Sequence, residues 1–168
     1  ENIGVFTQNK PESLFMDFGA FGVRAVTVPL YATSSEAQVH YILEDASIRY
    51  LFVGEQQQYD VAFRVMALSS NLKKIIVFDK DVKLDARDES SIYMDDFLAM
   101  GKGGKHQAEV DKRTAESQKE DLMNILYTSG TTGESKGVTL THAGYEAVMD
   151  AHCDRFPGLG ENDVVINF

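Results

Sequence analysis

The sequence predicts an α/β fold: a doubly wound, largely parallel sheet flanked by helices. Three observations predict it. Short apolar, β-branched runs recur along the first half of the chain, and helical periodicity follows each of them. The runs are apolar throughout rather than alternating, which marks strands covered on both faces and joined by right-handed helical crossovers. Hydrophobic residues make up 43% of the 168, enough for one packed core.

Ile3–Thr7 reads as the first strand. Asn9 is placed as a helix cap, with Leu14, Phe15, Phe18 and Phe21 at helical spacing behind it. Val23–Leu30 is the second strand, ended by the turn after Pro29. Thr33 and Glu36 stand at the two positions of a capping box, and Val39, Ile42, Leu43 and Ala46 form the stripe of the helix they open. Tyr50–Val53 is the third strand, followed by a helix with Val61, Ala62, Val65 and Leu68 inward. Ile75–Phe78 is the fourth. Residues 1–78 are therefore read as βαβ units.

Residues 79–121 change character. They hold twelve acids and eight bases, with few apolar residues outside 92–100. A short helix near Tyr93–Ala99 and a mobile, solvated connector beyond it are expected, with Gly101–Gly104 as a break. Asp79, Asp81, Asp85, Asp95 and Asp96 lack EF-hand spacing and read as a solvated face. Residues 122–168 form the third segment. Leu122–Tyr127 is a strand, Thr128–Gly137 a loop and Val138–Thr141 a second β-branched run. Thr141 is placed to cap a helix from His142 to Arg155, with Tyr145, Val148, Met149 and His152 on one side. Another strand starts at Asp163–Phe168.

Charge and composition exclude several classes. The net charge of −10 disfavours general nucleic-acid binding. No apolar run approaches the roughly 20 residues of a membrane span, and no basic, apolar leader is present. The lone Cys153 excludes an internal disulfide framework and fits a reducing compartment. The chain opens on Glu1 without a methionine and stops at Phe168 inside an apolar run, so both ends are expected to be cuts through a larger protein.

The chemistry concentrates in Thr128–Gly137. These ten residues hold three glycines, three threonines, two serines and one lysine. Glycines admit positive φ and close backbone approach, and successive amides form anion-binding nests. Hydroxyls of Thr128, Ser129, Thr131, Thr132 and Ser135 add donors, and Lys136 adds a point charge suited to polyphosphate. A plain turn needs far less. The P-loop of nucleoside triphosphatases does not match: Gly133 is followed by Glu134-Ser-Lys136, and a β-branched run follows where a helix is required.

The eighteen residues Ile125–His142 resemble the signature of adenylate-forming (AMP-binding) enzymes, which include acyl-CoA synthetases, peptide-synthetase adenylation domains and luciferases. Gly22–Tyr31, Glu36–Ala46 and Tyr50–Val53 are similar to the upstream region of that family, most like the long-chain fatty-acid–CoA ligase branch. One departure is Ser135, where the family usually has proline; a serine leaves the loop freer. The resemblance implies an ATP-dependent, AMP-forming ligase that makes an acyl-adenylate and passes the acyl group to coenzyme A. It implies ATP, Mg²⁺ and coenzyme A as cofactors or co-substrates. Backbone amides from Ser129 through Gly130 to Gly133 and the hydroxyls of Thr131 and Thr132 would hold the β- and γ-phosphates. Lys136 would neutralise departing pyrophosphate, and Thr128 would contact Mg²⁺. The implied partners are a carboxylic acid and the remainder of a longer chain. The implied location is cytoplasmic, with peripheral membrane contact left open. No Tyr-Gly-x-Thr-Glu segment follows, so the isolated chain is expected to be inactive.

Other readings stay beside this one. A peptide-synthetase or aryl-acid adenylation domain would share the loop, and a non-catalytic nucleotide-binding module would share its phosphate grip. A receiver-like module would need paired acids after the first strand, where Gln8-Asn9-Lys10 stands instead. His152-Cys153 lacks zinc-type partners, His40 reads as a core-edge histidine, and His142 as a helix-entry or packing residue.

Overall fold

Among the described residues, seven strands form one sheet. In the computed structural model, residues 1–129, 135–158, 160 and 163 are described. Strands β1 (Asn2–Phe6), β2 (Val26–Leu30), β3 (Tyr50–Val53), β4 (Lys74–Val77) and β5 (Ile92–Tyr93) pair in parallel, as does β6 (Leu122–Thr128) with β2. Among the described strands only β7 (Lys136–Thr141) runs antiparallel, against β6, and the order across the sheet is β5-β4-β3-β1-β2-β6-β7. The doubly wound, largely parallel sheet is the one the apolar runs predict.

The pleat sorts the apolar side chains into two cores. Phe6, Val28, Leu51, Val53, Ile75 and Val77 face α2 (Glu36–Asp45) and α3 (Gln56–Met66). Their neighbours Val5, Phe52 and Ile76 face the other way, toward α1 (Pro11–Gly22). This alternation is why each inner strand is mostly apolar, the buried Thr27 of β2 and Asn124 of β6 being the exceptions.

Several local details differ from the pattern reading. The cap of α1 is Lys10, not Asn9, because Pro11 occupies the first helical turn and its fixed φ starts the helix there. That helix turns Met16 and Ala20 inward; Phe15 and Phe18 are each 70% exposed, and Leu14 is exposed as well. Small Ala20 lets the helix axis come close to the sheet, which the bulky side chains would prevent. The capping box at α2 is Ser35 with Gln38, not Thr33 with Glu36: the Ser34 amide already closes a turn onto the Tyr31 carbonyl, which delays the helix. Leu68 lies beyond the end of α3 and is exposed. Val23–Ala25 form a turn before β2, with Arg24 in the left-handed region at φ 59°. Ser47 ends α2 in the same way, at φ 50°.

The charged segment carries more regular structure than its composition predicts. It contributes β5, then α4 (Met94–Met100), then α5 (Gln107–Ala115), which has no buried residue. Several of its acids form ion pairs, among them Asp79 with Lys10, Asp85 with Arg87, Asp95 with Lys80 and Asp121 with Arg24. Exposed pairs of this kind contribute little stability, so they direct the path of the segment more than they hold it. Thr141 caps α6 (His142–Arg155) through the Gly144 amide, and the His142 ring packs edge-on against Phe21. Val148 and Met149 on that helix are exposed. The strand expected at 163–168 lies almost wholly outside the described residues.

Candidate functional site

Parallel α/β sheets bind ligands beyond the carboxyl ends of their strands, where the strand order changes direction. Here the chain passes from β2 across to β3 on one side, and β6 and β7 later extend the sheet on the other. The carboxyl ends of β1, β2 and β6 enclose a cleft of about 440 Å³, lined in part by Thr7, Asn9, Asp17, Tyr31 and Thr128. A larger cleft of about 690 Å³ lies over α3, but two of its three cations, Arg64 and Arg87, are paired with Glu36 and Asp85. The smaller cleft is the better candidate because β6 delivers the donor-rich loop to it.

Thr128 and Lys136 are direct partners in the β6–β7 register. Opposed residues of an antiparallel pair share a face, so the hydroxyl and the ammonium project on the same side at the mouth of the loop. Both are exposed, and Lys136 forms no ion pair among the described residues. An uncompensated cation beside hydroxyl donors, in a chain of net charge −10, is a landing point for an anion. Ser129 also lies at this mouth. Gly130, Thr131, Thr132 and Gly133 lie outside the described residues.

The opposite face of the same hairpin is held by α2. Tyr127 is buried, donates its hydroxyl to Asp45, and stands edge-on to Tyr41 with ring centroids 6.3 Å apart. Gly137 faces Tyr127 in the register, and a Cβ there would come within 2.8 Å of Ile125 Cγ2 and 3.2 Å of the Tyr127 ring. Glycine is required at 137 by that close approach. Tyr41 and Asp45 are four residues apart on α2, so both address the hairpin from one helix face.

A second polar group was not singled out by the pattern reading. Asn124 donates to the buried Thr27 hydroxyl across β6 and β2, and Thr27 in turn hydrogen-bonds Asp17 of α1. Burial pushes the Asp17 carboxyl above its ordinary range, and the Thr27 bond partly offsets this. The signal was present: Asn124 interrupts the run Leu-Met-Asn-Ile-Leu, and a polar residue inside a buried strand implies a partner.

Burial, then the bond to Asp45, raises the Tyr127 phenol above its ordinary value of 10.0; burial, then the bond to Asp88, does the same to Tyr59. The folded state therefore keeps these protons longer than the unfolded chain. That stability is complete below pH 10.0 and is lost as pH rises through the folded values. Absorbance at 295 nm is expected to show both phenols titrating only as the chain unfolds. Full ionisation of all tyrosines near pH 10 with the fold intact would contradict this.

The family model for AMP-binding enzymes matches residues 1–168. The chain belongs to the AMP-binding enzyme family. Over 166 residues this AMP-binding chain is 31% identical to human long-chain-fatty-acid–CoA ligase 1, covering 96% of itself and 23% of that protein. It is 30% identical over 148 residues to fatty acyl-CoA synthetase A of Dictyostelium discoideum, covering 84% of itself and 21% of that protein. The AMP-binding chain thus spans about a quarter of the length of the curated relatives it matches. Its fold matches the crystal structure of the anthranilate CoA ligase AuaEII in complex with anthranoyl-AMP, with TM-score 0.67 and 22% identity over 89% of this chain and 26% of that one. Among the described residues, no helix of the AMP-binding chain is long and apolar enough to cross a membrane. Nor, among them, do three His, Cys, Asp or Glu side chains gather as a metal would need.

Proposed function

We propose that this chain supplies the phosphate-holding part of an enzyme that activates a long-chain fatty acid with ATP and transfers it to coenzyme A. The carrying observation is the Thr128–Lys136 pair, set on one face at the mouth of a donor-rich loop beyond the carboxyl ends of the strands. The names of the relatives support the choice of acid.

In the first step the acid's carboxylate oxygen attacks the α-phosphorus, the bond to the bridging oxygen breaks, and pyrophosphate leaves with the electron pair. Charge grows on that leaving group, so a fixed cation beside it accelerates the step. Lys136 fills that catalytic role. Ser129, Gly130, Thr131, Thr132 and Gly133 hold the phosphates before attack. Mg²⁺ supplies charge neutralisation when bound with the nucleotide. It takes most of its oxygens from phosphate and water, so a single hydroxyl at Thr128 fits it without a carboxylate cluster. The coenzyme A thiol, losing its proton, then attacks the acyl carbonyl carbon, the bond to the phosphate oxygen breaks, and AMP leaves as the thioester forms. The segments 1–78, 79–121 and 122–168 serve as frame, charged excursion and phosphate-loop unit. By itself the chain is proposed to be inactive, since it lacks a Tyr-Gly-x-Thr-Glu segment. A cytoplasmic location, with contact to a membrane surface where fatty acids partition, belongs to the same reading.

The test is acid-dependent exchange of labelled pyrophosphate into ATP by the full-length protein, with acids from acetate to oleate and with benzoate. Exchange is expected with the long acids. Exchange with aryl or amino acids alone would move the protein to another adenylating branch. ATP binding without exchange would make it a nucleotide-binding module.

A further inference from the structure

We propose that Tyr41 is a positioning residue that sets the aim of Lys136. The inference rests on the phosphate-loop reading above and goes beyond it, because Tyr41 lies 94 residues before the loop stem it reaches. Its hydroxyl donates to the Ser135 carbonyl at 3.1 Å. That carbonyl belongs to the peptide unit joining Ser135 to Lys136. A peptide unit is planar, so holding its oxygen also fixes the nitrogen from which Lys136 is built.

The helix that presents Tyr41 is itself well fixed. The Ser35–Gln38 capping box secures its start, and Val39, Ile42 and Leu43 are buried beneath it. One turn further on, Asp45 accepts from Tyr127. A single helix thus grips both stems of the hairpin, β6 through Tyr127 and the β7 entrance through Ser135. The Tyr41 ring meets Tyr127 edge-on, and the missing side chain at Gly137 leaves room for the Tyr127 ring on that face of the hairpin.

The grip matters because of what Lys136 and Ser135 are. A lysine carries four freely rotating bonds, so charge placement depends strongly on the direction in which its Cα–Cβ bond leaves the backbone. A proline at 135 would lock φ there; serine does not. The restraint that the ring of a proline would supply from within the chain comes here from a hydroxyl on a distant helix.

The experiment has two readouts. In the full-length protein, Tyr41→Phe is expected to lower the maximal rate of pyrophosphate exchange about fivefold, the range for one lost neutral hydrogen bond, with the KM for the acid unchanged. In a Ser135→Pro background the same substitution is expected to cost less, because the proline ring restrains the stem independently. An unchanged rate, or an equal loss in both backgrounds, would overturn the proposal. The second readout needs no catalysis. In the 168-residue chain, hydrogen exchange at the Lys136 amide is expected to speed up several-fold in Tyr41→Phe while Val39 and Ile42 stay protected. Unchanged exchange at Lys136 would also overturn it. Absence of any acid-dependent pyrophosphate exchange in the unsubstituted protein, with the amide result as expected, would instead sink the adenylation reading and leave the Tyr41 restraint standing.

Discussion

Lys136→Ala in the full-length protein is expected to lower acid-dependent pyrophosphate exchange about a hundredfold, with little change in the KM for the acid. The reasoning is electrostatic. Lys136 opposes Thr128 at the mouth of the loop, on the face of the hairpin that carries no buried partner for it among the described residues. Its charge is therefore directed at an incoming group and is not consumed by a carboxylate. Removing one preorganised donor from a site of developing charge costs about 10²–10³ in rate. Lys136→Arg is expected to recover only part of this, since a planar fork and a mobile ammonium place charge differently. A rate for Lys136→Ala within a factor of two of the parent protein would remove Lys136 from the catalytic role.

The second large effect is on stability. Phe6 is fully buried in the central strand, beside Leu30 and Val53 in register, and joins the core under α2 and α3. Phe6→Ala is expected to cost about 3–5 kcal/mol, through lost transfer energy and a cavity that close-packed strands cannot collapse. At this chain length that lowers the melting temperature by roughly 10 °C. Phe15→Ala makes the same chemical change at a side chain that is 70% exposed, and is expected to stay within about 0.5 kcal/mol. Thermal denaturation of the two variants side by side is the check. Equal losses would mean that α1 is docked through its bulky side.

That pair of variants also shows what the sequence made legible. Inner strands announce themselves because burial on both faces favours apolar side chains, as at Val5, Phe6 and Phe52, and the two buried polar exceptions, Thr27 and Asn124, bond each other. The loop announces itself because a donor-rich stretch ending in Lys136 exceeds the needs of a turn. Helix α1 is apolar on more than one side, so periodicity alone did not choose between the Phe15–Phe18 side and the Met16–Ala20 side; close approach to the sheet did. Three successive hydroxyls at 33–35 offered several capping phases, and the Tyr31–Ser34 turn selected Ser35. The grip of Tyr41 and Asp45 on the hairpin was hidden for a different reason. It joins residues 94 and 82 positions apart, and no local pattern encodes such a contact.

The charged excursion at 79–121 is fastened at both ends to the two ends of α1. It leaves at Asp79, which meets Lys10 at the helix start, and returns at Asp121, which accepts from Nε and Nη2 of Arg24 just past the helix end, at 2.8 and 3.0 Å. Between those fastenings, length is nearly free in energetic terms only in the unpaired stretch joining α4 to α5, because doubling a flexible loop costs only about 0.6 kcal/mol. Related chains are therefore expected to vary most in length here, lengthening or shrinking the excursion while the spacing from Lys10 to Arg24 stays constant. The helix acts as a ruler for where foreign sequence is admitted.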